Sequence, residues 1–144
     1  MLVIDTNVFL YAAIKESRGH ALARKMIEEW RSSAAPWHST WGIFYEFLRV
    51  STHPAVFEHP LAPLDAWKFL KAILAAPGFS LLPEQEDHSQ FIEKFLLEPL
   101  EVRGNLWHDG HTAALMHEHG IRTIVTADTD FHRFKGLRVN NPFA

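Results

Sequence analysis

Five carboxylates stand where a chain could use them to hold a divalent cation: Asp5, Glu46, Asp109, Asp128 and Asp130. Asp5 closes the apolar run Leu2 to Ile4, and Asp128 comes two residues after the run Thr123 to Thr126. If both runs are parallel strands, both acids emerge at the carboxyl edge of one sheet, where open α/β sheets bind their ligands. The alternative is that each acid merely caps the element that follows, as Asp commonly does. Asp130 gives the Asp128 corner a second carboxylate. Glu46 lies in WGIFYEFLRV, where the only other charge is Arg49. An ionised carboxylate in that setting needs compensation, either from Arg49 one helical turn away or from a cation in the crevice. Asp109 sits at the start of a helix, where the dipole favours a negative charge and where a metal could also be met. Carboxylates gathered in one place cannot all stay ionised without a cation. Hard oxygen ligands suit Mg²⁺, with Mn²⁺ as a substitute. A cation held there polarises a phosphoryl oxygen and generates hydroxide from bound water, which is the chemistry of phosphodiester hydrolysis.

The elements that must position these acids follow from apolar spacing. Leu2 to Ile4 reads as a strand buried on both faces. After a break at residues 17–19, HALARKMIEEWR places Ala23, Met26, Ile27 and Trp30 at helical spacing. Trp37 to Ser39 predicts a second strand leading into a helix from Thr40 to about Ser51, with Thr40 as its cap. Prolines 54, 60 and 63 mark a loop, and Leu64 to Ala75 is helical until Pro77-Gly78 stops it. Phe79 to Leu82 is a brief strand. An amphipathic helix follows, with His88, Ile92, Phe95 and Leu96 on one face. Residues 99–105 form a loop, and a helix runs from about His108 to His119 until Gly120. Thr123 to Thr126 is a buried strand, and Leu137 to Val139 a weaker last one. Strands alternating with helices predict an α/β fold with a mainly parallel sheet, as one domain over residues 1–144.

Composition narrows the class. The chain has 144 residues, 47% hydrophobic and 22% charged, with 11 Phe and 5 Trp, enough for a substantial core. High hydrophobicity with a net charge of −3 rules out disorder. Cysteine is absent, which excludes disulfides, thiolate zinc sites and a cysteine nucleophile. The opening MLVIDTNVFLYAAI lacks a basic start and carries Asp5, so it is not a secretion signal, and no apolar run is long enough to span a membrane. The expected location is the cytoplasm.

Four stretches in this order carry a family likeness: IDTNVFLYA, FYEFLRVSTHP, RGNLWHDGHTAAL, and TADTDFHRFKGL followed by VNNP. Across nearly its whole length the chain resembles the PIN-domain ribonucleases and, among them, the VapC-type toxins of type II toxin–antitoxin modules. The resemblance implies that Asp5, Glu46 and Asp109 are the first three acids of the site. It places the fourth at Asp128, with Asp130 as neighbour or substitute, and gives Thr6, Asn7 and Thr126 a supporting role in orienting ligands and water. Gly110 departs from the alanine usual after the third acid. The implied activity is that of a Mg²⁺-dependent endoribonuclease cutting structured RNA, commonly tRNA or a ribosomal RNA loop. The implied products are a 5′-phosphate and a 3′-hydroxyl, and the implied assembly is a homodimer with a VapB-like antitoxin.

Other chemistries fit less well. Ten histidines, four of them in WHDGHTAALMHEHG, invite a zinc reading, but no HExxH motif occurs. Those rings read as solvated or hydrogen-bonded, with His108 at the rim of the crevice. A covalent route through Asp5, as in the haloacid-dehalogenase-type phosphatases, needs a second acid two residues on, and Asn7 stands there. A PIN-type module that binds metal and RNA or protein without cutting is the remaining rival, and the intact acids argue against it.

Overall fold

Five short strands align in one sheet: β1 (Leu2–Ile4), β2 (Trp37–Ser39), β3 (Phe79–Leu81), β4 (Thr123–Val125) and β5 (Arg138–Asn140). They lie in the order β3-β2-β1-β4-β5, and every neighbouring pair is parallel. The computed structural model describes all residues from Met1 to Ala144. β1 is central because it can be: Val3 and Ile4 are fully buried, as are Ile124 and Val125 of β4, so both strands tolerate cover on both faces. The outermost strand, β5, has an exposed residue at each end, as an edge allows.

The chain runs outward from β1 through β2 to β3, then crosses back to β4 beside β1 and ends at β5. The strand order therefore reverses between β1 and β4. That is a topological switch point, where the crossovers leave in opposite directions and open a crevice beyond the strand ends. Helices α1 (Thr6–Ala13), α2 (His20–Ser32), α3 (Trp41–Ser51), α4 (Pro63–Leu74), α5 (His88–Ile92) and α6 (Leu106–Glu118) complete the layers around a contiguous core of 28 buried residues. α1 packs on α2 and α3, and α3 packs on α4 and α6.

Sequence reading places most of these elements to within two residues and misses one. It assigns nothing between Ile4 and Ser17, yet α1 fills most of that interval. Val8, Phe9 and Ala12 are buried and Leu10, Tyr11 and Ala13 also pack on the core, so TNVFLYAA has no polar face to betray a helical period. The single amphipathic helix expected from His88 through Leu96 is also corrected. α5 ends at Ile92 and passes into a π-helical turn, Glu93–Leu97, whose wider register leaves Leu96 alone fully buried there. α6 starts at Leu106, before the expected His108. Its end is as expected: Gly120 takes φ +67°, and the Ile121 amide reaches back to the Met116 carbonyl at 2.9 Å.

Candidate active site

Parallel strands joined by helices fix what lies beyond their carboxyl ends. Asp5 follows β1 directly and its amide donates to the Val125 carbonyl at 3.1 Å, which ties the ends of β1 and β4 together. Asp128 follows β4 and starts a 3-10 turn, Thr129–Arg133, by accepting the Asp130 amide at 2.8 Å. Asp5 likewise accepts the Thr6 amide at the start of α1, at 2.8 Å. Both acids thus cap the turn that follows them, and capping is compatible with a place at the strand edge. α3 leaves β2 at the same edge, so its second turn brings Glu46 in. α6 returns from β3 toward β4, so its first turn, with Asp109, lies at that edge too.

The acids line one cleft of about 580 Å³, whose walls are Gly42, Tyr45, Glu46, Arg49, Asn105, His108, Asp109, Asp128 and Asp130. Carboxylate oxygens of Asp109, Asp128 and Asp130 lie within 4.8 Å of one another. Asp5 is not in that wall. It is only 4% exposed and sits beneath the cluster, close enough for its charge to act on Asp109. Thr126 and Asn7 hold it there: the Thr126 hydroxyl donates to Oδ2 at 2.7 Å and Asn7 Nδ2 at 3.2 Å. Asn7 also donates to Thr126 Oγ1 at 2.9 Å and accepts the Ala127 amide at 3.0 Å, so the loop after β4 is pinned to α1. Thr6 contributes its amide to Asp5; its side chain is buried, and the hydroxyl has no hydrogen-bond partner.

Glu46 meets His108 Nε2 across the cleft. Contact with His108 holds the Glu46 carboxyl below the usual carboxylate range, and Arg49 adds a smaller effect in the same direction. The same contact raises His108. Sequence reasoning offered Arg49 or a metal as the compensation for Glu46 and missed His108, whose adjacency to Asp109 was the available signal.

Burial, followed by the charges of Glu46 and Asp128, pushes Asp5 up to about 6 against the hydrogen bonds from Thr126 and Thr6. Burial, with the charges of Asp5 and Asp128 after it, pushes Asp109 up to about 7. In both carboxyls burial opposes the charged form first and neighbouring negative charge adds to it. A hard dication would stabilise the charged forms of both, and an all-oxygen donor set suits one. The residues present therefore fit a divalent metal.

The sequence profile of the PIN domain family matches residues 2–137. The chain belongs to the PIN domain family. It is 31% identical over 140 residues to ribonuclease VapC48 of Mycobacterium tuberculosis, covering 97% of this chain and 96% of that one. It is 34% identical over 142 residues to the VapC ribonuclease Mb2897 of Mycobacterium bovis, covering 99% and 95%. Among solved structures, VapC20 of Mycobacterium tuberculosis, a sarcin-ricin loop cleaving toxin, superposes with a TM-score of 0.66 at 17% identity, over 96% of this chain and 99% of that one. VapBC2 of Rickettsia felis, bound to a DNA fragment from its promoter, gives the same TM-score at 16% identity over 97% of each chain. Those two likenesses bear on the fold, and the α/β layers with their parallel sheet match the PIN architecture.

Proposed function

We propose that the protein is the toxin of a type II toxin–antitoxin module, an endoribonuclease that hydrolyses RNA phosphodiester bonds in the carboxylate cleft. The carrying observation is the meeting of Asp5, Asp109, Asp128 and Asp130 at the switch point of a PIN-family sheet. Full-length relatives named VapC ribonucleases support the same reading. Asp109 and Asp128, with Asp130 beside them, Asp5 beneath and Glu46 opposite, are the residues that would hold Mg²⁺, or Mn²⁺ in its place. Bound there, the ion supplies Lewis-acid charge at a phosphoryl oxygen and lowers the pKa of a coordinated water.

The remaining work falls to the chain's own groups. Thr126 and Asn7 fix the orientation of Asp5, and Thr6 fixes its second oxygen. His108 fixes Glu46 on the facing wall. Arg49 supplies a cation to an RNA phosphate at the cleft, and the exposed ring of Tyr45 offers a π-face to an unpaired base. The substrate is a structured RNA, a tRNA or ribosomal RNA loop. The partners are a VapB-like antitoxin that covers the cleft and a second copy of the chain. The protein acts as one domain in the cytoplasm; no helix is long and apolar enough to cross a membrane.

The test is to incubate purified protein, freed of antitoxin, with total RNA in Mg²⁺ or EDTA and to map the product ends. Cleavage is expected in Mg²⁺, with 5′-phosphate ends, and none in EDTA. Asp5→Asn and Asp109→Asn should each lose at least a hundredfold in rate. Persistent cutting in either variant overturns the carboxylate mechanism. Wild-type protein that binds RNA and cuts none would instead be a binding module.

A further inference from the structure

A second group of metal-ligand side chains lies outside the cleft. Glu84, in the segment after β3, His88, the first residue of α5, and His111, on α6, each place one ligand atom within 4.8 Å of the others. His111 follows Asp109 by two positions, so on a helix it points to a different face from the cleft acids. Its Nε2 meets Glu84 Oε1 at 2.6 Å, and its ring stands 6.0 Å from that of His88, nearly perpendicular at 85°.

Glu118 stands behind His88. Glu118 is the last residue of α6, the end where the helix dipole disfavours an acid, yet its side chain is 0% exposed. One oxygen accepts the Gln85 amide at 3.0 Å and the other meets His88 Nδ1. A buried carboxylate on Nδ1 fixes the imidazole tautomer and leaves Nε2 with its lone pair outward. That carboxylate–histidine arrangement is the usual backing of a metal-ligating imidazole. His88 and His111 are 21% and 33% exposed in their side chains, so solvent and ions reach both.

We propose that Glu84, His88 and His111 form a second metal site, one that takes a borderline transition-metal dication such as Zn²⁺. Two imidazoles and a carboxylate suit Zn²⁺ and not Mg²⁺, which demands an oxygen shell. Three protein ligands leave a fourth position for water. The ion replaces the shared proton between His111 and Glu84 and staples the segment after β3 to α6. This inference stands apart from the nuclease reading, because its readout is binding.

Chelator-stripped protein, in buffer with excess Mg²⁺ to satisfy the cleft acids, is titrated with Zn²⁺ by calorimetry, and its Tm is followed in parallel. The expected result is one Zn²⁺ per chain and a raised Tm. His88→Gln and His111→Gln should each weaken binding at least tenfold, and Glu118→Gln by roughly tenfold. Asp128→Asn should leave it unchanged. Should a histidine variant fail to fold, Glu84→Gln, at a half-exposed side chain, carries the same expectation. Absent binding, binding equally tight in the ligand variants, or binding lost in Asp128→Asn instead overturns the site.

Discussion

Thr126 places a single hydroxyl between three partners: it donates to Asp5 and accepts from Asn7 Nδ2 and from the Asp128 amide. The site acids are legible one at a time, because Asp at a strand end is a local signal. The wiring between them is not, since Thr126 and Asp5 are 121 positions apart. The Glu46–His108 and Glu84–His111 contacts hide for the same reason: their spacing matches no local motif. His38 gives the residue scale its pH test. It is buried on β2, with Nδ1 at 2.9 Å from Ser80 Oγ, and burial holds its pKa below the ordinary histidine value. The facing charges act more weakly: the chain's amino terminus and His119 lower it further. The unfolded chain therefore binds the proton more readily than the folded one, and the His38 contribution to stability falls as pH drops below about 6.5. Between pH 7.5 and 5.5, thermal unfolding of wild type should lose more stability than that of His38→Asn. Parallel losses would mean that folding does not lower the His38 pKa.

Close approach between elements is set by glycines whose role no local pattern reveals. A Cβ at Gly78, just before β3, would lie 2.3 Å from the Ala35 carbonyl oxygen, a backbone atom that cannot step aside. Gly78→Ala should therefore cost roughly 2–3 kcal/mol in denaturant unfolding, by forcing apart the approaches to β2 and β3. At Gly110 the same added atom meets side chains alone, with Leu96 Cδ1 the one tight contact at 3.3 Å and Val102 Cγ1 at an ordinary 3.9 Å. Leu96 gives by a few tenths of an ångström, so Gly110→Ala should stabilise, by less than the roughly 1 kcal/mol of helix propensity gained. The contrast turns on what each glycine faces. Two elements escape sequence reading for other reasons: α1 has no exposed polar face to mark its period, and the π-helical turn that carries Leu96 breaks the period on which a helix is recognised.

At the scale of the molecule, setting aside Asp5, Glu46, Asp109 and Asp128 turns the net charge of −3 into +1. RNA then meets a near-neutral face with one cation, Arg49, in the cleft wall. Measured affinity should fall with salt at a slope of only about 1–2 in log–log terms, and Arg49→Ala should reduce that slope by about 1. A slope typical of six or more phosphate contacts would contradict this picture. The parallel topology was legible from strands alternating with helices; the switch point depends on strand order, which no local pattern carries. That order also governs when the site comes into being during synthesis. β1 is made before β4 and can pair with it only once the elements between them have been made. A truncated chain ending before Thr126 has Asp5 without the hydroxyl that orients it and lacks Asp128 altogether. On the proposed function, products that end before Thr126 are inactive, and the cleft can form only once β4 and Asp128 have been made.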